Sequence, residues 1–180
     1  DPQADTLQTL PDILAQAVKK YPARPAYSCM GQTLSYVDVD RLSQQFASYL
    51  QNHTSLKAGD RVAIQLPNVL QYPVAVFGAL RAGMVVVNVN PLYTPDEMQH
   101  QLSDSGAAAI VILAIMAHKL EDILSRTAVR HVVVTELADL HPFPQRLVIN
   151  SMVRYVKKMV PPYHLSNAVS WRAALALGRE

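Results

Sequence analysis

The chain has 180 residues, half of them hydrophobic and only 17% charged: enough apolar material for a substantial core, but little charge for a domain with its whole surface in water. The net charge of +2 is unevenly placed, with ten basic against thirteen acidic residues in 1–139 and six basic against one acidic residue in 140–180, so the carboxyl-terminal stretch is expected to face something anionic. Cys29 is the sole cysteine, which excludes an internal disulfide and fits a reducing compartment. The longest unbroken apolar run, 107–117, has 11 residues against the roughly 20 that a membrane-spanning helix needs.

The first helix is predicted from Thr9, which can cap it, with Pro11 in the first turn and Asp12 at its positive end. Leu10, Ile13, Leu14, Ala17 and Val18 would form its apolar face. Residues 26–30 and 33–36 read as a hairpin around Gly31. Ser35 and Asp38 resemble a capping box opening a helix whose inner face is Val39, Leu42, Phe46, Tyr49 and Leu50.

A parallel β-α-β rhythm follows. Residues 61–66 read as a strand, 69–81 as a helix closed by Gly83, and 84–89 as a second strand that is apolar except for Asn88 and is therefore expected to be covered on both faces. Thr94, Pro95 and Glu97 start another helix, ended by Gly106. A strand over 108–113, a helix over 117–127 and a strand over 131–135 complete the pattern. Strand spacing of about 20 to 25 residues suits β-α-β crossovers. The predicted fold class is α/β, a mainly parallel sheet flanked by helices. Residues 1–57 would supply helix, hairpin and helix, 58–136 the repeated β-α-β units, and 137–180 a basic helical segment.

Within that last segment, Ile149, Met152, Val153, Val156 and Val160 follow one helical stripe, with Arg154, Lys157 and Lys158 on another side and Pro161-Pro162 as the stop. Such a helix can lie on an anionic membrane surface, and it can equally pack on its own domain with its charges in water. Asn68, Asn88, Asn90 and Tyr93 fall at or just past strand carboxyl ends, where open α/β sheets bind ligands. They are candidates to line a cleft, although Asn and Pro also simply make such turns. The six histidines have no metal-site spacing and no pairing with the thiol, so zinc binding and Cys–His catalysis are not expected. Basic residues near Tyr155, Tyr163 and Trp171 raise nucleic acid, but the rest of the chain is acidic and no binding module is present.

Several phrases in order resemble the amino-terminal part of the adenylate-forming (AMP-binding) ligases: LSYVDVDRLSQQFASYL over 34–50, GDRVAIQLPN over 59–68 and ALRAGMVVVNVNP over 79–91. The run NVNPLYTP and the VKK-containing basic segment bring the resemblance nearest to bacterial long-chain fatty-acid–CoA ligases, across nearly the whole chain. What the resemblance implies is the amino-terminal subdomain of an enzyme in which a carboxylate attacks the α-phosphate of ATP, giving acyl-AMP and pyrophosphate, before the thiol of CoA displaces AMP. ATP, Mg²⁺, CoA and a long-chain fatty acid are the implied cofactors and partners of the whole protein. The expected location is cytoplasmic, with peripheral contact on the inner face of the cell membrane. The family's Ser/Thr/Gly-rich loop followed by Lys is absent, and so is its mobile carboxyl-terminal domain. Thr54 to Gly59 is a superficial lookalike of that loop with one glycine at the wrong end. No catalytic, cofactor-binding or metal residue is therefore assigned, and this chain alone is expected to be inactive, with nothing bound.

The chain opens at Asp1 and stops within a helix-like run, so it is expected to be a piece of a longer protein whose missing part covers this sheet. Exposed apolar area would then drive homo-oligomer formation. The alternative is a non-enzymatic α/β module for protein association or membrane attachment. A Gly/Thr-rich loop and Lys soon after Glu180 would favour the ligase, and a natural stop there the module.

Overall fold

The computed structural model describes residues 8–180, so residues 1–7 of the predicted 1–57 segment lie outside the described residues. Three helices begin with the same local device. Thr9 opens α1 (Leu10–Lys20), Ser35 opens α2 (Tyr36–Asn52) and Thr94 opens α4 (Pro95–Ser105). In each, the hydroxyl accepts the backbone N–H three residues on, and the carboxylate there (Asp12, Asp38, Glu97) accepts the capping residue's own N–H. Two otherwise orphaned donors are satisfied at each helix start. Gly106 ends α4 in the left-handed conformation, φ +62°, which a side chain would disfavour.

The strands sort into two sheets. β1 (Pro25–Cys29) and β2 (Gln32–Ser35) form the expected antiparallel hairpin. The main sheet contains β3 (Arg61–Gln65), β4 (Val85–Asn88), β5 (Ala109–Leu113), β6 (His131–Thr135) and β7 (Ala168–Ser170), all parallel, in the order β4-β3-β5-β6-β7. β5 is buried along its whole length, as its unbroken apolar sequence requires. On one face α2 packs on α1, α3 (Gln71–Arg81) and α7 (Trp171–Leu177); α4 packs separately on α5 (Ala117–Ile123). Trp171 and Phe46 lie fully buried in the shared core.

Four readings of the sequence need correction. β4 is not covered on both faces: it is an edge strand bonded only to β3, and Val85 is 47% exposed. The helix read over 117–127 stops at Ile123 and continues as a single 3₁₀ turn, Leu124–Arg126. α1 contributes one buried residue, Leu14, while Leu10 and Ile13 face water. The segment 137–180 is more than a basic helix. It contains a strand, β7, that pairs with β6, and its helix α6 (Gln145–Ser151) widens into a π-helical turn, Met152–Val156, before ending well short of Pro161.

A polar sheet edge as the candidate site

Strand order locates the crevice. From β3 the chain leaves through α3 toward β4 on one side; from β5 it leaves through α5 toward β6 on the other. The two strands lie side by side, so their carboxyl ends flank a topological switch point, where diverging loops leave a crevice in open α/β sheets.

Each of the four cleft candidates from the sequence stands on this edge. Asn68, in the turn after β3, is exposed, and its carbonyl accepts the Cys29 thiol at 3.4 Å, tying the hairpin to the main sheet. Asn88 ends β4. Its Oδ1 accepts the Tyr72 hydroxyl at 2.9 Å and its carbonyl accepts Gln101 Nε2 at 2.9 Å. Asn90 Oδ1 accepts the Leu92 N–H at 2.9 Å, an Asx turn that shapes the β4–α4 loop. Tyr93 is half-buried and its carbonyl accepts Lys119 Nζ at 2.7 Å. Asn88 at the end of β4 and Asn90 and Tyr93 in the loop after it thus stand together, with Asn68 one strand away.

The strongest polar network on the edge went unread in the sequence. Gln65, fully buried at the end of β3, donates through Nε2 to the Asn90 carbonyl at 3.1 Å, and its Oε1 has no partner among the described residues. Gln71, at the start of α3, reaches past β5 to Thr135 Oγ1 at 3.1 Å and the Glu136 carbonyl at 2.9 Å. Asp139 Oδ2 accepts the Thr135 hydroxyl at 3.0 Å and the Glu136 N–H at 2.9 Å, and Oδ1 accepts Asn150 Nδ2 at 3.3 Å. Burial pushes the Asp139 carboxyl above the usual range, opposed by the bonds from Glu136 and Thr135. The available signal was a polar residue closing an apolar run at the carboxyl end of a strand: Gln65 in RVAIQ and Thr135 in HVVVT.

This network fastens α6 over the edge. Asn150 Oδ1 accepts the Ala138 N–H at 2.9 Å, and Arg154 grips Glu136 Oε1 from both Nε (3.1 Å) and a terminal nitrogen (2.6 Å). Val153 and Val160 face Leu113, Ala114 and Leu137 across a small cavity. The wider π turn rotates the remaining stripe outward, leaving Val156 74% exposed and Tyr155 71% exposed beside exposed Lys157 and Lys158. Of the three basic residues predicted for a surface role, Arg154 is therefore ion-paired to its own domain, and the two lysines are in water.

The lookalike loop 54–59 does not fit a triphosphate. It connects α2 to β3, at the opposite end of the strands from the crevice. Its groups are already engaged: the Thr54 hydroxyl donates to the Leu50 carbonyl and accepts the Leu56 N–H, and the Lys57 N–H bonds Asp60 Oδ2. Among the described residues no three His, Cys, Asp or Glu side chains stand together to hold a metal ion. No helix there is long and apolar enough to cross a membrane.

The sheet order defines a doubly wound α/β scaffold with a polar carboxyl edge. The sequence pattern of the AMP-binding enzyme family matches residues 14–169, and the chain belongs to that family. It is 51% identical over 174 residues to a long-chain-fatty-acid–CoA ligase of Escherichia coli O6:H1, covering 97% of this chain and 31% of that protein. A ligase of the same description from Haemophilus influenzae is 48% identical over 172 residues, covering 96% of this chain and 31% of that protein. The chain thus spans about a third of the length of these curated relatives. In three dimensions it matches the A-PCP didomain of carboxylic acid reductase from Segniliparus rugosus, solved with AMP, at a TM-score of 0.73 and 17% identity, over 98% of this chain and 27% of that one. At that identity the likeness establishes the fold alone.

Proposed function

We propose that this chain is the amino-terminal third of an AMP-forming long-chain fatty-acid–CoA ligase, contributing scaffold and one wall of the binding cleft. The observation that carries the reading is 51% identity over 97% of the chain to a protein of that description. In the whole protein a fatty-acid carboxylate would attack the α-phosphate of ATP, expelling pyrophosphate and leaving acyl-AMP, and the thiol of CoA would then displace AMP; Mg²⁺, held by groups beyond these residues, would supply charge neutralisation. The chemistry rests on groups beyond these residues, because the one phosphate-loop lookalike has its hydroxyl and amides engaged elsewhere.

This chain's part is positional. Asn68, Asn88, Asn90 and Tyr93 would form the cleft wall on the β3–β4 side, their loop held by Lys119 and Gln65. Lys157 and Lys158, with exposed Tyr155 and Val156 beside them, would rest on an anionic membrane facing the cytoplasm, where long-chain acids reside. The exposed β4 edge and the apolar residues around α6 favour self-association of the isolated chain, which light scattering would register.

The test is palmitate-dependent pyrophosphate release. The whole protein should release pyrophosphate only with ATP and fatty acid together, and the 180-residue chain should release none. A chain that makes acyl-adenylate unaided, or a whole protein that activates no fatty acid, overturns the reading.

A further inference from the structure

A basic pocket lies away from the β3–β4 side of the edge. The β1–β2 hairpin, α2, the turn after β6 and α7 enclose an open cavity of about 400 Å³, within the range of small-ligand sites. Arg41 of α2, Arg146 of α6, Arg172 of α7 and Arg179, just past the end of α7, all line it. Arg146 and Arg172 also line the adjoining cavity of about 300 Å³.

These charges are only partly compensated. Arg41 meets Asp38 at 3.2 Å, a carboxylate already engaged by Ser35 at the α2 cap. Arg146, Arg172 and Arg179 form no salt bridge to any described carboxylate. The other acid in the wall, Asp139, accepts from Thr135, Glu136 and Asn150 and also feels the charge of Arg172, so it offsets part of one arginine's charge. His141 shares the wall at 5% exposure; its Nε2 lies 3.3 Å from the Met30 carbonyl, and its Nδ1 has no partner among the described residues. Four guanidinium groups around two carboxylates leave a net positive charge, which an anion placed between them would offset. Their planar donor forks suit tetrahedral oxyanions, to which each can give two parallel bonds.

The geometry points to a binding site for a phosphate-bearing ligand, centred on Arg146, Arg172 and Arg179. It stands on this chain's own residues and is independent of the ligase reading. It reads the carboxyl-terminal charge excess as a pocket and not only as a surface.

Two probes test it on the 180-residue chain: inorganic pyrophosphate by titration calorimetry, and phosphatidylglycerol vesicles by co-sedimentation. Pyrophosphate should bind saturably, and Arg146→Gln with Arg172→Gln should weaken it about tenfold or more. Circular dichroism of that double variant should match the parent. If it does not fold, Arg146→Lys with Arg172→Lys keeps the charge, loses the fork and should still weaken binding. Pyrophosphate binding identifies a free phosphate compound. Vesicle binding alone, lost in the double variant, identifies a lipid headgroup. Failure of both probes to bind, or equal binding by parent and variants, overturns the site.

Discussion

The indole of Trp171 packs on the ring of Phe46 with centroids 4.8 Å apart and planes tilted by 36°. The contact joins the first residue of α7 to the middle of α2, and both side chains are fully buried. It fastens the last helix to a face that the chain began to build more than a hundred residues earlier. Truncation there removes a large apolar surface and leaves a cavity, because α2 is held by its other neighbours and cannot collapse into the space. Trp171→Ala should lower stability by about 3–5 kcal/mol in urea unfolding followed by circular dichroism. A loss below about 1 kcal/mol would mean that α7 is not docked as described.

Gly178 ends α7 with ordinary φ, −75°, so its role is space and not backbone freedom. A Cβ at this position would lie 1.8 Å from the Gln45 carbonyl oxygen and 2.8 Å from its carbon, both backbone atoms of α2. One helix must therefore move. Gly178→Ala should cost about 1–3 kcal/mol through overpacking. Gly31→Ala tests a different physics: nothing lies within 4 Å, but φ is +80°, so its cost is backbone strain alone. Thermal melts of both variants should show that the tight α2–α7 approach, and not the hairpin turn, loosens Trp171 fluorescence.

Acid should destabilise the fold through its helix caps. Hydrogen bonds from Thr9 to Asp12, from Ser35 to Asp38 and from Thr94 to Glu97 hold all three carboxyls below their ordinary values. A carboxyl with a lowered folded pKa contributes stability that is present above its unfolded value and lost as pH falls through the folded one. Asp139 has the opposite sign: burial raises it, so its contribution is greatest below the unfolded value and declines as pH rises through the folded one. With three lowered groups against one raised, Tm should fall as pH drops below about 4.5 and through the lowered folded values. Asp38→Asn should flatten that fall. An equally steep profile in the variant would place the acid sensitivity elsewhere.

Membrane contact, if made by the 155–158 surface, should be electrostatic and local. Lys157 and Lys158 are exposed next to Tyr155 and Val156, whereas Arg154 is held by Glu136. Lys157→Glu with Lys158→Glu should abolish salt-sensitive binding to anionic vesicles, since each basic residue near such a surface is worth about 1 kcal/mol. Arg154→Gln should leave that binding nearly unchanged and instead loosen α6, seen as faster amide exchange over 145–156. Equal vesicle binding by the lysine variant and the parent would remove this surface from the account.

What the amino-acid order determined by itself was local. The capping pairs Thr9–Asp12, Ser35–Asp38 and Thr94–Glu97, the Gly106 stop and the apolar β5 and β6 were all legible, because each rests on residues within a few positions of one another or on unbroken burial. The edge position of Asn68, Asn88, Asn90 and Tyr93 followed from where the strands end. Tertiary structure alone decided strand order, which placed apolar β4 at an open edge, and it alone recruited β7, three residues too short to carry a period. It alone brought Gln71 to Thr135 across 64 positions and set Arg146, Arg172 and Arg179 around one cavity. Pairing between distant segments depends on which surfaces fit after the chain has folded back, and no window of sequence holds both partners.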